Sequence, residues 1–189
     1  MQPYFHSLSI LYLLIPVVTM RLFAEEKRLK TEELLYSSPV SSVQIVLGKY
    51  LAAVMLFIIL IMFTIQHPVF VCIYGNPDIG PIVTGYIGLF LVGLAYLSIG
   101  LLCSALTDNQ IIAAILTFGV ICFFWMIGLT QYIIANPTVV SLFRYFSLQE
   151  HFHIFTKGLI ELKDVVFIAS FTFMGLFLTY QIIEYHRWK

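Results

Sequence analysis

The chain has 189 residues, 60% of them hydrophobic and 11% charged, and its ten basic and ten acidic side chains cancel. Ordinary soluble domains carry about 25% charged residues, so a soluble globular class is excluded, and the zero net charge argues against a nucleic-acid partner. Cys72, Cys103 and Cys122 lie in apolar runs without a CxxC pair. That argues against a disulfide framework or a cysteine-built zinc site, and predicts three small buried hydrophobes.

The opening run, MQPYFHSLSILYLLIPVV, has no basic n-region and no small-residue cleavage site after it. It reads as a retained span rather than a signal peptide. Crossing a ~30 Å hydrocarbon core takes ~20 apolar residues as a helix. The long stretches without Asp, Glu, Lys or Arg are 1–20, 50–77, 79–107, 109–143 and 165–183. They predict an all-α, polytopic membrane domain over 1–189 with five helices, at about 4–23, 44–66, 82–106, 110–133 and 164–184.

Ser41-Ser42-Val43-Gln44 has the spacing of a capping box opening the second span, and Thr107-Asp108-Asn109-Gln110 repeats it before the fourth, at a tight turn. Pro68 and the turn-rich YGNPDIGP at 74–81 are predicted to close the second span and lead into the third. The third span carries Gly85, Gly88, Gly93 and Gly100, the last in a Gly100-x-x-x-Ser104 pattern. Small residues let helices approach closely in lipid, within the chain or at a dimer face.

Seven basic residues (Arg21, Lys27, Arg28, Lys30, Lys49, Arg187 and Lys189) fall on one side of these spans and three (Arg144, Lys157 and Lys163) on the other. The positive-inside rule puts the first set in the cytoplasm, with the N-terminus outside and the C-terminus inside. The cytoplasmic stretch FAEEKRLKTEELLYSSP (23–39) holds seven of the 20 formal charges between Glu25 and Glu33. Glu26 and Lys30 stand at the favourable i,i+4 spacing. Thr31 is placed to cap a second short helix with Glu32 and Glu33 in its first turn, and Pro39 ends it. This predicts a short amphipathic helix, or a broken pair, on the membrane face; the plainer alternative is a solvated loop. Its mixed signs suit a protein partner better than anionic lipid.

Residues 137–163 would lie outside. Phe152, Phe155, Leu159 and Ile160 recur at helical spacing among Arg144, Glu150, Lys157 and Glu161, an amphipathic pattern for a lipid interface. His151 and His153 flank Phe152, but i,i+2 positions do not share a helix face, so interfacial roles are favoured over a metal pair. No charged residue lies deep in a predicted span, unlike proton- or ion-coupled carriers. Gly48-Lys49 lacks the upstream glycine and following Ser/Thr of a nucleotide-binding loop, so an energy source in another subunit is implied.

The stretch MRLFAEEKR…TEELLYSSPVSSVQIVLGKYLAA (20–53) resembles the signature of type-2 ABC transporter permeases. The branch is the one with the permeases linked to gliding motility and to nitrous oxide reductase maturation. YFSLQEHFHIFTKGLIELKDVVFIASF (145–171) is similar to that branch's segment before its last span. The resemblance implies a permease subunit of an ATP-driven exporter in a bacterial inner membrane. It would form the translocation path with a second copy or a paralogue, and carry no catalytic residue, cofactor or metal of its own. ATP and Mg²⁺ would be bound by a separate ABC ATPase subunit. The first cytoplasmic loop, 24–39, would be a coupling helix docked on that subunit, through Glu25, Glu26, Lys27, Arg28, Thr31, Glu33, Leu34, Leu35 and Pro39. A re-entrant pair over 137–163 would help seal the outer gate, with Phe146, Glu150, His151, Phe152 and Gly158. The family usually has glycine where this chain has Lys30, which predicts a weaker break in the elbow. It also has six spans, and the resemblance aligns the start of this chain with the family's second, which implies either an N-terminal piece missing from this sequence or a protein that works with five spans.

The rival readings are a membrane scaffold that recruits a cytoplasmic partner without transport, and a lipid-acting enzyme built on Arg144, Glu150, His151 and His153. Thr64, Tyr86, Tyr96, Ser98, Thr117, Gln131 and Thr179 are mildly polar span residues, and none selects a substrate class.

Overall fold

The computed structural model describes residues 9–32, 40–75, 77–129 and 145–187. Among them the regular structure is helical, without strands. A 3-10 segment, Ser9–Leu14, runs into α1 (Ile15–Thr19); α2 (Ala24–Arg28) follows after a turn. Then come α3 (Ser42–Thr64), α4 (Gln66–Tyr74), α5 (Ile79–Leu106), α6 (Gln110–Leu129), α7 (Leu148–Thr156) and α8 (Leu162–Arg187). Among the described residues, four helical stretches are long and apolar enough to cross a membrane: Ser42–Tyr74, Ile79–Leu106, Gln110–Gly128 and Leu162–Arg187.

The described part of the expected 4–23 helix is not one continuous α-helix. Pro16 sits in the first turn of α1. It has no N–H to return to the preceding turn, and the residues before it are wound as 3-10. The second span differs as well. The helix breaks at Ile65, but Pro68 does not close it; Pro68 lies in the first turn of α4, which runs on to Tyr74. A proline is tolerated there because a first-turn N–H has no helical partner to lose. The Thr64 carbonyl, four residues before Pro68, accepts instead from the Tyr86 hydroxyl at 3.0 Å.

The expected Ser41 capping box is present: Ser41 Oγ accepts the Gln44 N–H and Gln44 Oε1 accepts the Ser41 N–H. At the 107–110 turn the cap is one step different. Asn109 is the residue before α6, and its Oδ1 takes the Ile111 N–H at 2.9 Å, while Thr107 Oγ1 takes the Asn109 N–H.

The centre of the bundle is α5, whose most apolar window is 72% buried. The helices α8, α7, α6, α3 and α1 all pack against it. Its glycines make this possible. A Cβ at Gly93 would lie 2.1 Å from the Phe57 ring, and one at Gly88 would lie 2.6 Å from Phe155 Cβ. Across from Ser98, Gly175 on α8 does the same. The glycine stripe therefore serves packing within the chain.

Ser147 caps α7 by accepting the Glu150 N–H, and Leu148, Phe152 and Phe155 are buried under it. Gly158 (φ +86°) ends this segment in the left-handed region. The helical face drawn through Phe152, Phe155, Leu159 and Ile160 is thus cut short, and Leu159 and Ile160 are exposed. Of the three cysteines only Cys103 is buried; Cys72 lies on the outward face of α4.

Candidate functional site

The charged elbow is built onto the end of α5. As the residue before α2, Phe23 offers no side-chain cap, so the first amides of the helix need a partner from elsewhere. Ser104 supplies it: its Oγ accepts the Phe23 N–H at 3.0 Å and the Ala24 N–H at 3.1 Å, and donates to the Met20 carbonyl at 3.2 Å. One turn earlier on α5, Gly100 leaves room for Thr19; a Cβ there would lie 2.3 Å from Thr19 Oγ1. The Gly100-x-x-x-Ser104 pattern is thus a seat and a clasp for the elbow.

Two lysines hold the elbow from its flanks. Lys27, 9% exposed, donates to the Ala105 carbonyl at 2.7 Å, a cation on the carbonyl end of a helix. Lys49 on α3 pairs with Glu26 at 2.6 Å, donates to the Leu22 carbonyl, and lies 4.8 Å from the centre of the Phe23 ring.

The elbow breaks sharply. The Thr31 N–H reaches the Glu26 carbonyl at 3.0 Å and the Lys30 N–H the Lys27 carbonyl at 3.1 Å, the bond pair of a Schellman motif. The position that motif gives to glycine holds Lys30 at φ +56°. The break is therefore complete despite the missing glycine, contrary to the weaker break expected. It also removes the expected Glu26–Lys30 pair: Lys30 is past the helix end, and Glu26 turns to Lys49.

The expected coupling residues are thereby sorted. Lys27 is turned into the bundle, Glu26 is engaged with Lys49, and Thr31 donates to the Glu26 carbonyl. Glu25 is half-buried, and Arg28, Leu29 and Lys30 are exposed. Arg28 shares with Thr107, Asp108 and Asn109 a cleft of about 600 Å³. Glu33, Leu34, Leu35 and Pro39 lie outside the described residues. Where the chain resumes, Ser42 donates to Glu184, and Arg187 donates to the Val40 carbonyl at 3.2 Å. The end of α8 is therefore tied to the start of α3. Sequence reasoning missed this tie, although Glu184 ends the last apolar run and Arg187 follows it within a turn.

The expected gate residues sit at the other end of α5. Phe146 is exposed, Glu150 half-buried, and His151 and Phe152 are buried. The α7 backbone is fastened to α5 by Thr84, whose hydroxyl donates to the Phe155 carbonyl at 2.7 Å. Gly158 lies against Pro81. His151 is neither interfacial nor paired with His153. Its Nδ1 lies 2.7 Å from Asp164 Oδ1, its Nε2 lies 3.0 Å from the Tyr145 carbonyl, and its ring stacks on Phe167 at 4.4 Å. Asp164 is fully buried and joins α7 to α8. Sequence reasoning missed it; the signal was a carboxylate in the first turn of an apolar run. The sequence-predicted residues thus form two groups at opposite ends of one helix, about 42 Å long at 1.5 Å per residue.

No curated protein sequence matches the chain. Residues 4–177 match the family described as ABC-2 family transporter protein, whose members are membrane subunits that work with an ABC ATPase, usually as dimers. With that match over most of its length, and with four helical stretches among the described residues long and apolar enough to cross a membrane, the chain belongs to the ABC-2 transporter family, as a multi-pass membrane permease component of an ABC transporter.

Proposed function

We propose that this chain is the translocating subunit of an exporter, coupled to its ATPase through the elbow after α1. The observation that carries this reading is the three-point seating of α2 by Ser104, Lys27 and Lys49. A solvated loop has no use for buried clasps, whereas a lever must not slip against the helix it drives. The seating leaves Arg28, Leu29 and Lys30 outward, an apolar side chain between two cations. This narrows the docking set: Lys27 and Glu26 hold the lever, and Arg28 and Leu29, with the residues on to Pro39, meet the ATPase. Charges at such a rim set partner choice and encounter rate more than affinity.

In this reading the elbow is cytoplasmic, in a bacterial inner membrane, and the N-terminus lies outside. ATP-Mg²⁺ is bound and hydrolysed in the partner subunit. A second copy or a paralogue completes the path, and α7, with Phe146, Glu150, His151, Phe152 and Gly158, closes its outer end. The elbow and α7 grip the two ends of the same helix, α5, which supports a mechanical link between them.

The test is co-purification of the permease with its ABC ATPase subunit. The double variant Arg28→Glu/Leu29→Asp is expected to lose the ATPase and keep the thermal midpoint of the wild-type permease. Full recovery of the ATPase with that variant would rule out docking on the exposed end of the elbow. A non-transporting scaffold would recover the ATPase too, but its ATP turnover would be indifferent to crosslinking α2 to α5.

A further inference from the structure

His151 points both of its ring nitrogens at acceptors. Nδ1 lies 2.7 Å from Asp164 Oδ1, and Nε2 lies 3.0 Å from the Tyr145 carbonyl. A carbonyl oxygen cannot donate, so Nε2 carries a proton. The short contact to Asp164 needs a second proton between nitrogen and oxygen, whichever of the two it sits nearer. The pair therefore holds one proton more than a neutral imidazole and a carboxylate would. A neutral ring serves only one of the two acceptors, and its bare nitrogen would face the other, lone pair against lone pair.

Burial gives that proton its weight. The His151 and Asp164 side chains are 8% and 0% exposed, and Asp164 Oδ2 is buried with no hydrogen-bond partner among the described residues. Without the proton, the carboxylate would be a buried charge with nothing to offset it, which is costly. The surrounding charges do not take its place. Glu150, His153 and Lys157 belong to α7 and its end, while Glu161 and Lys163, at the start of α8, pair with each other at 2.5 Å. The helices α5 and α6, on which α7 packs, contain no Asp, Glu, Lys, Arg or His. The next charged residue of α8, Glu184, is at its far end. A cleft of about 330 Å³, with His151 and Asp164 in its walls, opens beside the pair and gives protons a route.

We propose that the His151–Asp164 pair is a proton-binding site, and that its proton latches α7 and the Tyr145 backbone to α8. In the opened form both side chains meet water, and a solvated histidine keeps its second proton only below about pH 6.5. Above that pH the latched form holds one proton more than the opened form. By linkage the latch is at full strength below about pH 6.5 and weakens as the pH rises, opening about tenfold more for each unit until the latched form itself gives up the proton. The latch is a property of the permease alone and does not depend on coupling to an ATPase.

The test is amide exchange over α7, residues 148–156, in the full chain in phosphatidylcholine nanodiscs, with each rate divided by the intrinsic rate at the same pH. The opening constant of the wild type is expected to rise roughly tenfold per unit from pH 7 to 9. Asp164→Asn separates a proton from a merely structural contact. Its side-chain amide donates to Nδ1 while the Nε2–H still serves Tyr145, so a neutral ring meets every partner. That variant should stay protected, with an opening constant that changes less than about threefold over the same range. His153→Ala, which removes the other imidazole of α7, should keep the wild-type slope. If Asp164→Asn does not fold, the wild type and His153→Ala still decide. A wild-type opening constant that is flat from pH 7 to 9, an equal slope in Asp164→Asn, or loss of the slope in His153→Ala would overturn the proposal.

Discussion

Ser104 Oγ and the backbone N–H of Phe23 lie 3.0 Å apart although 81 positions separate them in the chain. The same oxygen takes the Ala24 N–H and gives its proton to Met20. Removing it orphans two amides and a carbonyl beside a buried phenylalanine. Ser104→Ala is expected to cost about 1–3 kcal/mol, the range for buried groups left unpaired. It should lower the thermal midpoint of the purified permease and loosen amide exchange protection over 20–28. A midpoint and exchange pattern equal to wild type would show that water replaces the clasp.

Lys30 occupies the left-handed region at φ +56°, a conformation that costs an L-residue about 1–2 kcal/mol and glycine almost nothing. Part of the gain is returned because glycine loses more backbone entropy on folding, about 0.5–1 kcal/mol. Lys30→Gly is therefore expected to stabilise the elbow by about 0.5–1 kcal/mol, and Lys30→Ala, which keeps its Cβ, to give no gain. Thermal unfolding of the three proteins decides it; a gain with alanine equal to that with glycine would trace the effect to the charge instead.

Gly93 faces the far edge of the Phe57 ring, where a methyl group would lie only 2.1 Å from Cε1, and Phe57 is fully buried. Gly93→Ala should destabilise by about 1–3 kcal/mol through overpacking. Phe57→Leu removes the clashing ring edge, so the double variant should be more stable than the sum of the two single effects predicts. Additivity in a double-mutant cycle would mean that the two side chains do not share the space.

The His151–Asp164 pair is buried on both sides. His151→Ala leaves a carboxylate without its partner, and about 3–5 kcal/mol is the expected loss for one half of a buried pair. Replacing both residues by leucine should cost less than either single alanine, because no charge is left behind. The comparison needs only thermal midpoints in detergent. A double variant worse than both singles would mark the pair as a structural necessity rather than a fastening between α7 and α8.

The capping box at Ser41 and the helical class were legible in the residues, because each depends on neighbours within a turn or on the length of an apolar run. Other features were read only in part. The Gly100-x-x-x-Ser104 pattern announced close approach but not what would approach. The charges at Glu26 and Lys27 are adjacent and look equally solvated in the sequence, yet one meets Lys49 and the other is driven into the bundle. Their direction follows from where α2 lands on α5, which no local spacing encodes.

Composition alone determined the solvent this chain folds against: a polypeptide 60% hydrophobic with long uncharged runs must satisfy its backbone internally, and helices do that within one segment. The tertiary structure decided which polar groups finish the work at the helix ends. The amides of the elbow go to Ser104, the imidazole of His151 to Asp164, and the carbonyl released before Pro68 to Tyr86. Helix formation is a short-range matter settled within four residues, whereas a terminal donor or acceptor takes whatever partner the packing of distant helices brings within 3 Å or so.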